Sequence, residues 1–160
     1  MAAYMKIDGV DGESTDKAHK GWIQIDSIGE SITRSITGGA RDVERMRGDT
    51  NLADVQVSRH LDSSSMPLKE ACAKGELKKE VILHVTTQLG DKETTFLEYK
   101  LKDVIVSSYQ LNIDGSGLPM EAVSLAYSAA DWTYTQLDPR TGKENGQHPA
   151  AFDPSKNATK

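Results

Sequence analysis

The chain of 160 residues contains a single cysteine and none of the common motifs for a catalytic metal or a nucleotide. Cys72 cannot form an internal disulfide, so the fold does not depend on an oxidising compartment. HExxH, paired CxxC and phosphate-binding glycine loops are missing, and the four histidines are scattered along the chain. The sequence therefore predicts a protein without a metal or another cofactor.

Long apolar runs and an excess of basic charge are also missing. Residues 1–13 hold one lysine and no apolar run of the length that a secretory signal peptide needs, and no later segment is apolar enough to span a bilayer. The formal net charge of −5 works against binding to phosphate backbones. We therefore expect cytoplasmic folding, no membrane insertion, no nucleic-acid partner, and export only by a route without a signal peptide.

Alternation of apolar and polar residues runs along most of the chain and predicts about eight half-buried strands, enough for a barrel or a sandwich. Turn residues at 90–92 and 114–117 separate successive runs and predict antiparallel neighbours. The predicted inward positions are Met5, Ile7, Ile23, Ile25, Val55, Val57, Val81, Leu83, Val85, Leu89, Leu97, Tyr99, Leu101, Ile105, Tyr109, Leu111, Ile113, Val123, Leu125, Tyr127, Trp132 and Tyr134.

One segment has helical spacing instead. Serines precede Pro67 in a first helical turn, an apolar stripe includes Leu68 and Cys72, and Gly75 can end the helix. A short helix at about 65–74 follows, with Cys72 as a small packed residue. Residues 31–52 are predicted to be a long functional loop, and residues 139–160 a flexible polar tail after a domain that spans 1–138.

A polar stretch at residues 9–22 collects the groups that an acid–base catalyst could use. Asp11, Glu13, Asp16 and His19 lie within it, but their spacing does not match a calcium loop. Such a cluster beside glycines is more often a connection whose side chains cap the backbone. A hydrolase that uses Asp11, Glu13 or Asp16 with His19 stays open as an alternative.

The same stretch resembles the N-terminal signature of a known family. Asp11-Gly12-Glu13-Ser14, with the residues Asp16, His19, Trp22 and Ile23 after it, is similar to the haemolysin-coregulated protein (Hcp) family, the tube subunit of type VI secretion systems. Further similarity to that family's strands, within a match from about Met5 to Asp138, lies in Val106-Ser107-Ser108-Tyr109, Pro119, Glu121, Ser124, Leu125, Tyr127 and Trp132-Thr133-Tyr134.

The resemblance implies a mainly β fold, a compact antiparallel β-barrel of two packed sheets with one flanking helix. It also implies a non-enzymatic subunit that forms hexameric rings, which stack into a tube with effector proteins in the lumen. The implied partners are further copies of the chain, the contractile sheath, the spike protein VgrG and effectors. Export would follow folding in the cytoplasm.

Two sets of residues are candidates for contacts in such a tube. A closed ring needs two different complementary surfaces on each subunit, and a long loop can supply one. The candidates for ring or stacking contacts lie in the long loop and are Gly38, Gly39, Arg41, Asp42, Glu44, Arg45 and Arg47. The candidates for the lumen are polar residues in and after the second strand: Gln24, Asp26 and Ser31.

A second alternative is a monomeric β-sandwich module that binds carbohydrate or peptide. Trp22, Trp132 and Tyr134 could form its aromatic platform, although their places in alternating strands favour packing in the core.

Overall fold

A computed structural model of the chain describes residues 1–36, 48–89 and 92–157. Strands make up most of these residues, with one short helix between two strands and a second after the last strand. The elements are β1 (Ala2–Ile7), β2 (Ile23–Ile25), β3 (Ser27–Gly29), β4 (Ile32–Arg34), β5 (Thr50–Leu52), β6 (Val55–His60), α1 (Ser65–Lys74), β7 (Leu77–Leu89), β8 (Lys92–Asn112), β9 (Met120–Ala126), β10 (Ala129–Leu137), β11 (Glu144–Phe152) and α2 (Pro154–Asn157).

Nine of the strands form one antiparallel sheet whose main path is β2-β1-β7-β8-β9-β6-β3. The two ends of this path, β2 and β3, are the two halves of a single chain segment that bends at Asp26. At the bend, the Asp26 amide donates to the Ser58 carbonyl of β6 at 2.8 Å. The sheet therefore curls until its ends meet, which confirms the predicted antiparallel β fold.

The long strand β8 serves two neighbours along one edge. Residues 105–112 pair with β9, whereas residues 97–102 pair with β10. Between the two stretches lies Asp103 at φ 50°, a left-handed conformation that is uncommon for a residue other than glycine. A bulge between Val106 and Ser108 follows. These two irregularities bend the strand and change which side chains face inward.

The core is an apolar cluster on the inner face of the curled sheet. It confirms the inward positions predicted at Met5, Ile7, Ile23, Ile25, Val55, Val57, Val81, Leu83, Leu101, Val123 and Leu125. The prediction was wrong for Ile105, Ile113 and Tyr134, which are exposed. The irregular backbone of β8 turns Val104 and Val106 inward in place of Ile105, and Ile113 lies in the turn beyond the end of β8. Tyr134 faces outward beside His148, and the neighbouring Thr135 is buried instead.

Helix α1 lies where the sequence predicted it. Leu68 and Ala71 are buried and Cys72 packs partly against the core, as the apolar stripe indicated. Gly75 ends the helix at φ 63°, and its amide donates to the carbonyls near the helix end. No helix within the described residues is long and apolar enough to cross a membrane.

The C-terminal residues differ from the predicted flexible tail. Residues 144–152 form β11, which pairs with β10 from Ala130 opposite Phe152 to Leu137 opposite Glu144. The tail prediction was wrong for this strand because β11 is polar and exposed and so lacks the alternation that a half-buried strand shows. Backbone hydrogen bonds to β10, rather than core burial, define it. The predicted domain boundary at 138 stays a prediction.

Candidate functional site

The connection between β1 and β2 folds back on itself. We call residues 11–22 the polar connection. Its amides are tied across the loop, with Gly12 N donating to Gly21 O at 2.9 Å and Ser14 N donating to Trp22 O at 3.1 Å. Glycine is needed at position 12, because a Cβ there would overlap the carbonyl oxygen of Trp22. The polar connection is thus an ordered piece of structure.

Two carboxylates of the polar connection cap backbone amides. Asp16 Oδ1 accepts hydrogen bonds from the amides of Ala18 at 2.9 Å and His19 at 2.8 Å, in an Asx-type turn. A hydrogen bond from the His19 side chain, with these amides, holds the pKa of Asp16 below its usual value. Glu13 accepts from the amide of Ser63, just before α1, at 3.0 Å. The predicted capping role is confirmed for both residues.

His19 lies beneath the polar connection and is only 3% exposed. Its Nδ1 is 2.8 Å from Asp16 Oδ1, and its Nε2 is 2.9 Å from Nδ1 of His84. The ring stacks on Tyr4 at a centroid distance of 4.3 Å and meets the edge of Trp22 at 4.9 Å. Both ring nitrogens are therefore engaged within the protein, and neither is presented to a substrate.

The structure brings together only part of the hydrolase cluster. Asp16 and His19 are in contact, but Glu13 reaches toward α1 and Asp11 is exposed. A general base must reach the proton that it abstracts, and this histidine is enclosed. The structure offers no acid–base pair at this place that opens to solvent.

The histidines also bear on metal binding. His84 contacts His19 through Nδ1, and its Nε2 is 2.8 Å from Glu98 Oε2, so these nitrogens are used in hydrogen bonds. His60 instead faces Asp26 at 3.7 Å, and His148 stacks on Tyr134. Within the described ranges no group of three or more His, Cys, Asp or Glu side chains is arranged to hold a metal ion.

A buried charged network at the start of α1 was missed in the sequence analysis. Arg59 is fully buried, and its Nε lies 3.4 Å from Oε2 of Glu121, which is directly opposite on β9. The guanidinium also donates to the Asp62 carboxylate and the Ser64 hydroxyl, and the Tyr109 hydroxyl donates to Glu121. This network links the start of α1 to three strands of the sheet, β6, β8 and β9.

The long loop at 31–52 is partly a β-structure. Its two ends form β4 and β5, a separate two-stranded sheet in which Ile32 lies opposite Leu52. We call residues 31–36 and 48–53 the arm. The pairing is extended at one end by Ala53 N donating to Ser31 O at 3.0 Å, and at the other by Ser35 N donating to Asp49 O at 2.9 Å. The prediction of a long loop is wrong for β4 and β5.

The arm carries apolar side chains into solvent. Ile32 of β4 is 48% exposed, and Ile36, two residues beyond the end of that strand, is 61% exposed. β4 pairs with β5 and not with the nine-stranded sheet. The predicted ring or stacking residues follow beyond Ile36 and lie outside the described residues: Gly38, Gly39, Arg41, Asp42, Glu44, Arg45 and Arg47.

The predicted lumen residues are all at the surface. Gln24, Asp26 and Ser31 are exposed, and the first two line an open pocket of about 280 Å³ together with Glu13 and Asp62. Their polar character and exposure agree with a wetted wall, and the direction in which they face within an assembly stays a prediction.

The aromatic residues proposed for a binding platform are dispersed. Trp22 is half-buried and contacts His19 and His84, and Trp132 packs partly against the core while its Nε1 donates to Glu30 at 2.8 Å. Only Tyr134 of the three is exposed, at 47%, beside His148. These three side chains do not form one aromatic surface.

The architecture thus defines a class, an antiparallel β protein whose sheet closes on itself and which carries an exposed two-stranded arm. Comparison with known proteins identifies the family within this class. Residues 4–134 match the family model described as type VI secretion system effector, Hcp. The chain belongs to the Hcp family of type VI secretion proteins.

Individual relatives agree with that membership. The protein hcp1 of Pseudomonas aeruginosa is 29% identical over 115 residues, which are 71% of this chain and 68% of that protein. A solved structure of a type six secretion system protein is 32% identical, with a TM-score of 0.88 over 98% of this chain and 97% of the other. Hcp1 from Salmonella typhimurium is 25% identical with a TM-score of 0.77, covering 95% and 93%. Family membership makes the chain a secreted type VI tube protein.

Proposed function

We propose that the chain is a non-enzymatic subunit of the type VI inner tube, which assembles into hexameric rings that stack into a conduit. Effector proteins travel in the lumen, the sheath drives the tube, and VgrG stands at its tip. The subunit folds in the cytoplasm and leaves the cell with the machine. Family membership supports this function, and the exposed arm is the structural observation that supports assembly between subunits.

The arm has the features of a surface that binds a partner. Isolated two-stranded sheets are marginally stable in water, and apolar side chains normally need cover to add stability. Ile32 and Ile36 lack that cover in the single chain. A heterologous contact between subunits supplies it when each arm docks on the neighbouring copy, and six such contacts close a ring.

The charged part of the loop suits the contact between stacked rings. Arg41, Arg45 and Arg47 alternate with Asp42 and Glu44, so both signs of charge are available within a few residues. Such a surface pairs with a complementary surface on the next ring and weakens as salt screens it. We assign these residues and the glycines Gly38 and Gly39 to stacking. Gln24, Asp26 and Ser31 are assigned to the lumen wall.

Native mass spectrometry and negative-stain microscopy test the assembly. We expect six-fold rings at micromolar protein. A species that stays monomeric across protein concentration and salt would contradict the tube function and favour the monomeric binding module.

A pair of variants tests the arm itself. Ile36→Lys places a charge in the docking contact and should shift the purified protein from hexamer toward monomer. Ile113→Lys is the matched control, because Ile113 is 69% exposed at the turn between β8 and β9, away from the arm. Circular dichroism checks that both variants fold. Rings of equal stability in the two variants would show that the arm does not make the contact.

A further inference from the structure

A row of polar side chains crosses the outer face of the sheet under the polar connection. Tyr4 of β1 lies directly opposite His84 of β7, and His84 lies opposite Glu98 of β8. His19 covers the row from above. The contacts form one chain from Asp16 through His19 and His84 to Glu98, with distances of 2.8, 2.9 and 2.8 Å. We call these four side chains the relay.

The relay has an unusual requirement for protons. The chain of three contacts begins and ends at an ionised carboxylate, and a carboxylate only accepts hydrogen bonds. Each contact needs one hydrogen, so three hydrogens must sit on the four ring nitrogens of His19 and His84. Two neutral imidazoles carry only two. With two hydrogens, one of the three contacts, either a ring nitrogen with a carboxylate or the two ring nitrogens with each other, would place a lone pair against a lone pair.

We propose that His19 and His84 hold a third proton at neutral pH, as an imidazolium hydrogen-bonded to an imidazole, and that a fourth proton releases the polar connection from the sheet. The inference goes beyond tube assembly, because it concerns the single folded chain and holds whether or not rings form.

The surroundings of the two rings indicate which one carries the charge. His19 lies against the face of Tyr4, with its planes 4° apart, and beside Asp16, and both stabilise a cation. Burial lowers the pKa of His84, and this effect outweighs the hydrogen bond that His84 donates to Glu98. His19 is therefore the imidazolium, which donates from both nitrogens. His84 is the neutral ring, with its hydrogen on Nε2 toward Glu98.

Charged groups from the neighbouring strands complete this environment. On β1, Lys6 Nζ lies 5.8 Å above the Trp22 ring, and the Tyr4 hydroxyl donates to Glu93 of β8 at 3.3 Å. On β8, Lys100 pairs with Glu98 at 2.9 Å. Burial raises the pKa of Glu98, but hydrogen bonds from Lys100 and His84 outweigh burial and hold it below its usual value. Glu98 thus stays an acceptor at neutral pH.

Acid has a specific effect on this arrangement. When His84 also takes a proton, the nitrogens of both rings carry hydrogens at the central contact, and two cations face each other across 2.9 Å. The hydrogen bond between the rings is then lost. His19 is the buried link between the polar connection and β7, so the polar connection detaches while the core of the sheet stays intact.

Nitrogen-15 NMR of the histidine rings counts these protons directly. In the wild-type protein near pH 7, we expect one ring with hydrogens on both nitrogens and one ring with a hydrogen on Nε2 alone. His60 and His148 lie outside the relay and give reference signals in the same spectra. Two neutral rings at His19 and His84 would overturn the proposal.

Glu98→Gln is the decisive variant. A glutamine amide can donate to His84, so two hydrogens on the rings then satisfy all three contacts. We expect this variant to keep the relay but to lose the third proton near neutral pH. The same proton count in Glu98→Gln and wild type would show that the two carboxylates do not set the count, and would also overturn the proposal.

Amide hydrogen exchange reports the release. The measured quantity is the equilibrium constant for opening at the amides of Ser14 and Gly21, obtained after correction for the chemical exchange rate. In the wild type, this constant should rise about tenfold for each unit by which the pH falls once His84 begins to take up its proton, because one proton is bound on opening. His84→Gln cannot take the fourth proton, so its amides should stay protected over the same range. Equal acid sensitivity in the two proteins would refute the release.

Discussion

Removing Arg59 should destabilise the chain more than any exposed charge change, because Arg59 neutralises a carboxylate inside the protein. Glu121 has no exposed side-chain surface and lies 3.4 Å from the guanidinium, and Asp62 at the start of α1 shares the same cation. Arg59→Met keeps much of the side-chain volume but leaves both carboxylates without their partner. Breaking a buried pair on one side costs about 3 to 5 kcal/mol of unfolding free energy.

The measurement is urea unfolding at a fixed low protein concentration. With a denaturant slope of about 2 kcal/mol per molar, the midpoint of Arg59→Met should fall by about 2 M. Lys74→Met is the matched control, since it removes a cation from an exposed pair with Glu70 on α1. That control should leave the midpoint almost unchanged.

A double variant separates the buried charge from the lost packing. In Arg59→Met with Glu121→Gln, the buried carboxylate becomes a neutral amide whose oxygen can still accept from the Tyr109 hydroxyl. The double variant should therefore be more stable than Arg59→Met alone. If the two substitutions simply add, or if Arg59→Met behaves like Lys74→Met, the network does not depend on charge neutralisation and the reasoning fails.

Three further outcomes are expected. Gly12→Ala should lower the unfolding midpoint, because its Cβ would overlap backbone, whereas Gly117→Ala, with open space around it, should not. Below about pH 6.5, the free energy of unfolding should fall, since His84 binds a proton in the unfolded chain before it does in the folded one; His84→Gln should flatten this slope. Burial raises the pKa of Tyr4 and Tyr127 to about 12, so in the folded protein alone their tyrosinate absorbance should appear well above pH 10. The stability that these two residues contribute while they are neutral should be lost as the pH rises from about 10 to about 12. Ionisation of all tyrosines together near pH 10 without unfolding would contradict this.

Local signals explain what the sequence could predict. The helix at 65–74 has its turn residue, its apolar stripe and its terminal glycine within about a dozen positions, and all of them act on the nearby backbone. Period-two alternation likewise identified most inward residues. It failed in β8, where Asp103 at φ 50° changes the phase, because a left-handed aspartate leaves no mark in a pattern of apolar residues.

Long-range pairs explain what the sequence could not predict. Arg59 follows Val55 and Val57 on an inward face, and Glu121 precedes Val123 and Leu125 in the same way, so opposite charges at core positions were a visible signal. Their meeting depends on the pairing of β6 with β9, which no local pattern specifies. The contact of His19 with His84 is of the same kind, across 65 positions of the chain.

The way the sheet closes also governs when the chain can fold during synthesis. β1 pairs with β7, so Ala2 cannot pair until Thr86, 84 residues later, has been synthesised. In the same way, β6 cannot pair with β9 until β9 has been synthesised. At ribosomal rates of about 5 to 20 residues per second, β1 spends about 4 to 17 s without its central partner. Such distant pairings also make folding slow for the chain's size. The nascent subunit therefore exposes unpaired strands for seconds, which makes this period the time at which a chaperone is most useful to the cell.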